Sequence, residues 1–257
     1  MKLLPLVGFS LTFFLAICVY AQDDYVINSK KNPNASLKKD IYTIPNPDYT
    51  SYFISPTAFT LTKRDFRIAN NDLLFLKLTY GLTSNTNISI NTSLFGSLIG
   101  SVKHQLKLDE DKSIALSASF GEFFMSLKDT SVIFSGIDAC FTMGNHQNNI
   151  SFGTGFWFIN SNIDIIQEKK QFYAHSLNFG IQSQLSKKIY VMVDGYYFTN
   201  YSIFVGSTGL KFIIKTRYAL NLGVMPMLRN DIRNNRYDFK PFVLPVASFR
   251  MLIERKD

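Results

Sequence analysis

Side chains that could do chemistry are few and scattered in this 257-residue chain. His104, His146 and His175 have no carboxylates at ligand spacing, so no metal site is expected. Cys18 lies in a stretch read below as a removable leader. That leaves Cys140 alone, which excludes a disulfide framework and a cysteine-based zinc site. His175 and Ser176 are adjacent, but consecutive strand residues point to opposite faces and cannot form a nucleophile–base pair. The glycines fall singly, with no phosphate-cradling loop. No catalytic residue is nominated, and no cofactor or metal is implied. Charge is the feature that remains. Period-two alternation puts Lys77, Lys103, Lys107, Lys211 and Arg250 on the same wall face as Asp138 and Asp194. A second basic set sits in longer connections: Lys63, Arg64 and Arg67 in one, Arg229, Arg233, Arg236 and Lys240 in another.

Each set supports two readings. An inward positive face behind a low-dielectric wall would focus field lines and concentrate anions. Alternatively, the inward cations pair with Asp138, Asp194 and loop carboxylates inside a plugged, structural barrel. The connection residues, partly offset by Asp65, Asp231 and Asp238, could meet phosphorylated lipid headgroups such as those of lipopolysaccharide, or simply be solvated.

The elements that would carry these faces read as strands. Between Leu98 and Phe123, Val102, His104, Leu106 and Leu108 alternate with Ser101, Lys103, Gln105 and Lys107. After the acidic turn Asp109–Asp111, Ile114, Leu116, Ala118 and Phe120 alternate with small residues. This is an antiparallel hairpin. Similar alternation places strands near 52–61, 72–82, 86–95, 98–108, 112–122, 131–144, 148–159, 172–185, 188–199, 202–214, 217–228 and 241–253. Short polar turns after every second strand, with mostly longer links between (62–71, 123–130, 160–171, 229–240, but short ones near Gly96 and Asn200), suit a barrel with its short turns at one rim. Counting a strand near 52–61 makes the total about twelve, an even number with both termini at the short-turn rim.

Composition says which face is wet. Charged residues are 18% of the chain, against roughly 25% in a soluble domain, and aromatics reach 15%. The net charge of +8 is spread over turns and strand faces, with no basic helix or stacking platform for nucleic acid. The bulky face is Leu, Ile, Phe and Val, and the other is Ser, Gly, Ala, Asn and Thr. A lipid-facing exterior therefore fits better than a soluble barrel with an apolar interior. Residues 1–21 read as a signal peptide cleaved after Ala21, residues 22–50 as a flexible periplasmic lead-in, and 51–257 as the barrel.

Ser55-Pro56-Thr57-Ala58-Phe59, Leu73-Leu74-Phe75, and Tyr80-Gly81-Leu82-Thr83 leading to Ile88-Ser89-Ile90 resemble segments of uncharacterised bacterial outer-membrane β-barrel, porin-like families. The resemblance covers roughly residues 52–95 and points to class, not to substrate. It implies an outer-membrane location, with outer-membrane lipids and the outer-membrane assembly machinery as partners. The ending Glu254-Arg255-Lys256-Asp257 departs from the terminal aromatic usual in such proteins. His175-Ser176-Leu177-Asn178 is similar to a lipid A deacylase signature, but its two reactive residues fall on opposite faces. The expectation is an all-β, closed, antiparallel transmembrane barrel, acting as a small passive channel or structural barrel with a mildly basic lumen. A soluble apolar-ligand barrel and a lipid-modifying enzyme are the competing readings.

Overall fold

The computed structural model describes residues 46–254 except 73, 95, 126–129, 162–170 and 234–235. For 124–125, 130–131, 161, 229–233 and 236–241 it describes the backbone alone. The expected signal sequence and most of the expected lead-in lie outside these residues.

Twelve strands form one closed antiparallel barrel, each hydrogen-bonded to its neighbours in chain order. They are β1 (Phe66–Asn71), β2 (Phe75–Thr83), β3 (Thr86–Ser93), β4 (Ser97–Lys107), β5 (Lys112–Met125) and β6 (Thr130–Gly144). The second half comprises β7 (Asn149–Ser161), β8 (Gln171–Ser186), β9 (Ile189–Phe198), β10 (Ile203–Ile213), β11 (Tyr218–Arg233) and β12 (Arg236–Ile253). β1 pairs with both β2 and β12, and that closes the ring.

Register turns the period-two pattern into two surfaces. The row Ile88, Val102, Ala118, Ile137, Phe156 and His175 runs across six strands on the outside. One residue along, Asn87, Lys103, Ser117, Asp138, Gly155 and Ser176 form the matching inner row. Ile137 is 63% and Phe156 60% exposed, whereas Asn87 is 2% and Ser176 0%. The wall is thus polar and charged inside and bulky and apolar outside, the reverse of the arrangement in a soluble barrel with an apolar cavity. The hairpin Ser97–Met125 fits its sequence reading. Leu106, Leu116 and Phe120 point outward, and Lys103 points inward beside Ser117.

Two expectations are corrected. The stretch 52–61 is not a wall strand, and its apolar residues lie inside the barrel. The first wall strand is β1, which lies where a long loop over 62–71 was expected. The even count survives because one strand replaces the other. The described residues of the long links expected over 123–130 and 229–240 are strand as well: β5–β6 pair as far as Met125↔Thr130, and β11–β12 as far as Arg233↔Arg236.

Local chemistry explains the turns and the seam. Gly144 opens the β6–β7 turn at φ +107°, where a Cβ would lie 2.2 Å from the Asn148 carbonyl oxygen. The Asn145 side chain then accepts from the Gln147 and Asn148 amides, both at 2.9 Å. At the seam, the Asp72 amide donates to the Ala247 carbonyl (2.7 Å) and the Ala247 amide to Asp72 Oδ1 (2.6 Å). Beyond this point β12 has no partner on its β1 side among the described residues. Pro241 and Pro245 share the parity of Ala247, so the N–H groups they lack would have pointed to this open edge.

Candidate functional site

Residues 46–65 fill the barrel at its short-turn end. The expected flexible lead-in does not extend to its last five residues, all of which are buried. The chain enters where Asn46 Nδ2 donates to the His146 carbonyl oxygen (2.9 Å) and Tyr49 stacks on the His146 ring, centroids 3.9 Å apart. Phe59 meets the same ring edge-on at 4.8 Å. A tight turn follows: the Tyr52 amide donates to the Ser55 carbonyl (2.9 Å), and Thr57 Oγ1 to the Tyr49 carbonyl (2.8 Å). This compact turn through Pro56 is why an apolar-rich stretch that reads as a strand does not extend.

The wall supplies partners for many polar groups of this plug, as buried polar groups require. The Tyr52 hydroxyl bonds Asn149 Oδ1 at 2.5 Å and Ser151 Oγ at 2.8 Å, with its ring over Gly180. The amides of Ile54 and Ser55 donate to Asp194 Oδ2 at 2.8 and 2.6 Å, and Ser207 Oγ donates to the other oxygen of the same carboxylate. Lys103 Nζ donates to the Thr50 and Thr57 carbonyls, each at 3.2 Å. The Ala58 amide donates to Thr142 Oγ1 (2.7 Å), that of Thr60 to Gln105 Oε1 (3.1 Å) and that of Leu61 to Asn87 Oδ1 (3.0 Å). Cys140 Sγ lies 3.4 Å from the Pro56 carbonyl oxygen.

At the centre is Asp48, fully buried, inside a cage of three cations. Its Oδ1 accepts from Arg250 at 2.5 Å and Arg67 at 2.9 Å. Its Oδ2 lies 3.2 Å from Lys211 Nζ and 3.3 Å from Asn221 Nδ2. Lys211 Nζ also donates to the Asp48 carbonyl (2.6 Å) and Gln182 Oε1 (2.7 Å). Arg250 reaches on to Ser51 Oγ (2.6 Å) and the Tyr52 carbonyl (2.8 Å). Burial pushes the Asp48 carboxyl up, but Arg250, Lys211 and Arg67 outweigh it and hold the group below the ordinary carboxylate range.

The candidate residues divide accordingly. Lys211 and Arg250 meet at Asp48, while Lys103 and Asp194 grip the plug backbone. Lys77 is half-buried on the inner wall and makes no hydrogen bond or ion pair with described residues. Lys107 is exposed at the short-turn rim. Asp138, 9% exposed, has one carboxylate oxygen buried without a hydrogen-bond partner. The outer-loop set is corrected. Arg67 is a β1 residue inside the lumen, 2% exposed, and Lys63 and Arg64 are exposed beside it at the short-turn end. Arg229, Arg233 and Arg236 belong to the β11–β12 ladder rather than to a loop. His175 points outward, bonded to Thr154 Oγ1 at 2.8 Å, while Ser176 points inward. Asp48 is the functional residue that sequence reasoning missed, and Arg67 was nominated but placed in an outer loop. The one signal for Asp48 was the excess of inward cations over inward carboxylates.

Neither a family model nor a curated protein matches this chain. Among solved structures, a NanC porin is similar at 13% identity and TM-score 0.49, over 73% of this chain and 97% of that one. A KdgM porin is similar at 11% identity and TM-score 0.43, over 75% and 98%. An anion-selective porin from Comamonas acidovorans is similar at 11% identity and TM-score 0.40, over 70% and 59%.

Proposed function

We propose that this chain is a channel of the bacterial outer membrane, with an anion-preferring lumen that residues 46–65 close at the short-turn end. The two-faced wall carries the reading: an apolar exterior fits lipid, and a polar, charged interior fits water and solute. Among the described inward-facing side chains of the strands, Arg67, Lys77, Lys103, Lys211 and Arg250 outnumber Asp138 and Asp194. That balance favours anions. Export by a cleaved leader, folding by the outer-membrane assembly machinery and contact with lipopolysaccharide belong to the same reading.

Fractionation and bilayer recording test it. The chain should stay with outer membranes and migrate faster unboiled than boiled. A variant lacking residues 46–61 should conduct with anion preference, above the wild-type level. Recovery as a soluble protein, or a cation-selective open variant, would overturn the reading.

A further inference from the structure

The cage around Asp48 is built for more negative charge than one carboxylate supplies. Three cations face a single acidic group, and the two arginines each give it one terminal nitrogen, both directed at the same oxygen. Paired guanidinium and carboxylate planes usually share two bonds, so this contact is a partial use of each fork. The Nε atoms of Arg67 and Arg250 are buried without acceptors, although both residues are only 2% exposed. Orphaned donors of this kind in a native interior point to a group that can accept from them. Lys77 lies beside the cage. It shares a cross-strand row with Ala69 and Arg250.

We infer that Arg67, Lys211 and Arg250, with Lys77 at the approach, form a binding site for a multivalent oxyanion, and that Asp48 occupies it as a built-in competitor. Phosphate or a dicarboxylate arriving along the lumen offers these donors more oxygens and more charge than Asp48 does. Taking over the cage detaches Asp48 and with it the plug, so the solute opens its own path. The physiological sense of this rests on the channel reading, whereas the site and its competition with Asp48 do not.

The thiol of Cys140 reports plug position independently of conductance, because it is 4% exposed and lies against Pro56. The full-length protein, reconstituted in vesicles, is alkylated with a small thiol reagent, and modification of the Cys140 peptide is followed by mass spectrometry. Inorganic phosphate should accelerate labelling of the wild type, and chloride at equal ionic strength should not. Asp48→Asn should raise the phosphate-free rate about a hundredfold, as expected when one partner of a buried ionic cluster is removed. It should also abolish the response to phosphate. Labelling that phosphate leaves unchanged or slows, or an Asp48→Asn protein as protected as wild type, would overturn the inference. If Asp48→Asn does not assemble, the wild-type comparison of phosphate with chloride decides alone. A phosphate-dependent thiol without any conductance would overturn the channel and leave the anion site standing.

Discussion

Gly180→Ala should unseat the plug and leave the wall intact. Gly180 lies in β8 at an ordinary strand conformation, so alanine is compatible with the backbone. Replacing glycine there should cost the wall nothing, or stabilise it by about 0.4–1 kcal/mol through the unfolded state. The obstacle is the Tyr52 ring. The new Cβ would lie 2.1, 2.3 and 2.8 Å from Tyr52 Cε2, Cδ2 and Cζ. Carbon atoms in contact sit about 3.5–4.0 Å apart, so the ring must retreat by roughly 1.5 Å. Its hydroxyl cannot then keep the 2.5 Å and 2.8 Å bonds to Asn149 and Ser151. Overpacking costs about 1–3 kcal/mol and each lost hydrogen bond about 1 kcal/mol. The docking of residues 46–65 should weaken by roughly 3–5 kcal/mol, about two to four orders of magnitude in the docking equilibrium. Hydrogen exchange read by mass spectrometry separates the two parts. Peptides from 46–65 should lose protection while those from β5–β8 keep theirs, and heat-modifiable migration should persist. A plug as protected as in wild type, or a wall that loosens with it, would refute the reasoning.

Asp194→Ala should act from the opposite side by leaving the Ile54 and Ser55 amides without their buried acceptor, at a cost of about 3 kcal/mol or more. Exchange at these two amides should accelerate first. Lys103→Met removes the donor to the Thr50 and Thr57 carbonyls and one inward cation. In a plug-deleted background it should move the reversal potential toward that of an unselective pore. His146 gives the plug mouth a pH response. Packing under Tyr49 and Phe59 pulls its imidazole down to about 4 from an ordinary value near 6.5. The docked plug therefore favours the neutral ring. This contribution is complete above about pH 6.5 and is lost as pH falls toward about 4. The ratio of Cys140 labelling in wild type to that in His146→Phe, which cancels the falling thiolate fraction, should rise as pH falls through that window.

Eleven of the twelve wall strands were legible because alternation is a direct imprint of a wall that is wet on one side and apolar on the other. β1 was hidden because its inward residues, Arg67, Ala69 and Asn71, follow Lys63-Arg64-Asp65 and look like loop. Its outward pair, Phe66 and Ile68, is too short a run to stand out. The stretch 52–61 misled for the opposite reason. Tyr52, Phe53, Ile54, Phe59 and Leu61 have strand composition, but they cover polar lumen positions inside the ring, and no local pattern distinguishes that burial from a wall. The lumen face of Lys103, Lys211, Arg250, Asp138 and Asp194 followed from parity alone. Their partners did not, since Asp48 is separated from Lys211 by 163 residues and from Arg250 by 202.

The position of Asp48 joins closure of the lumen to closure of the barrel. Arg67 stands on the first strand and Arg250 on the last, diagonal neighbours across the seam in the register Arg67↔Leu252 and Ala69↔Arg250. Without a counter-charge, two buried guanidinium groups there would repel across a seam that β1 holds with six residue pairs. Asp48 draws both to one oxygen and ties Lys211 of β10 to the other, so the plug supplies the charge that lets the first and last strands meet. A solute anion in the cage would serve the seam equally well, because the two arginines need a negative partner and not this particular one. The ring can therefore stay closed while the plug leaves, with an anion, or the water that then enters the lumen, taking the place of the departing carboxylate. This is why release by competition is compatible with the fold, whereas spontaneous loss of the plug is opposed by it.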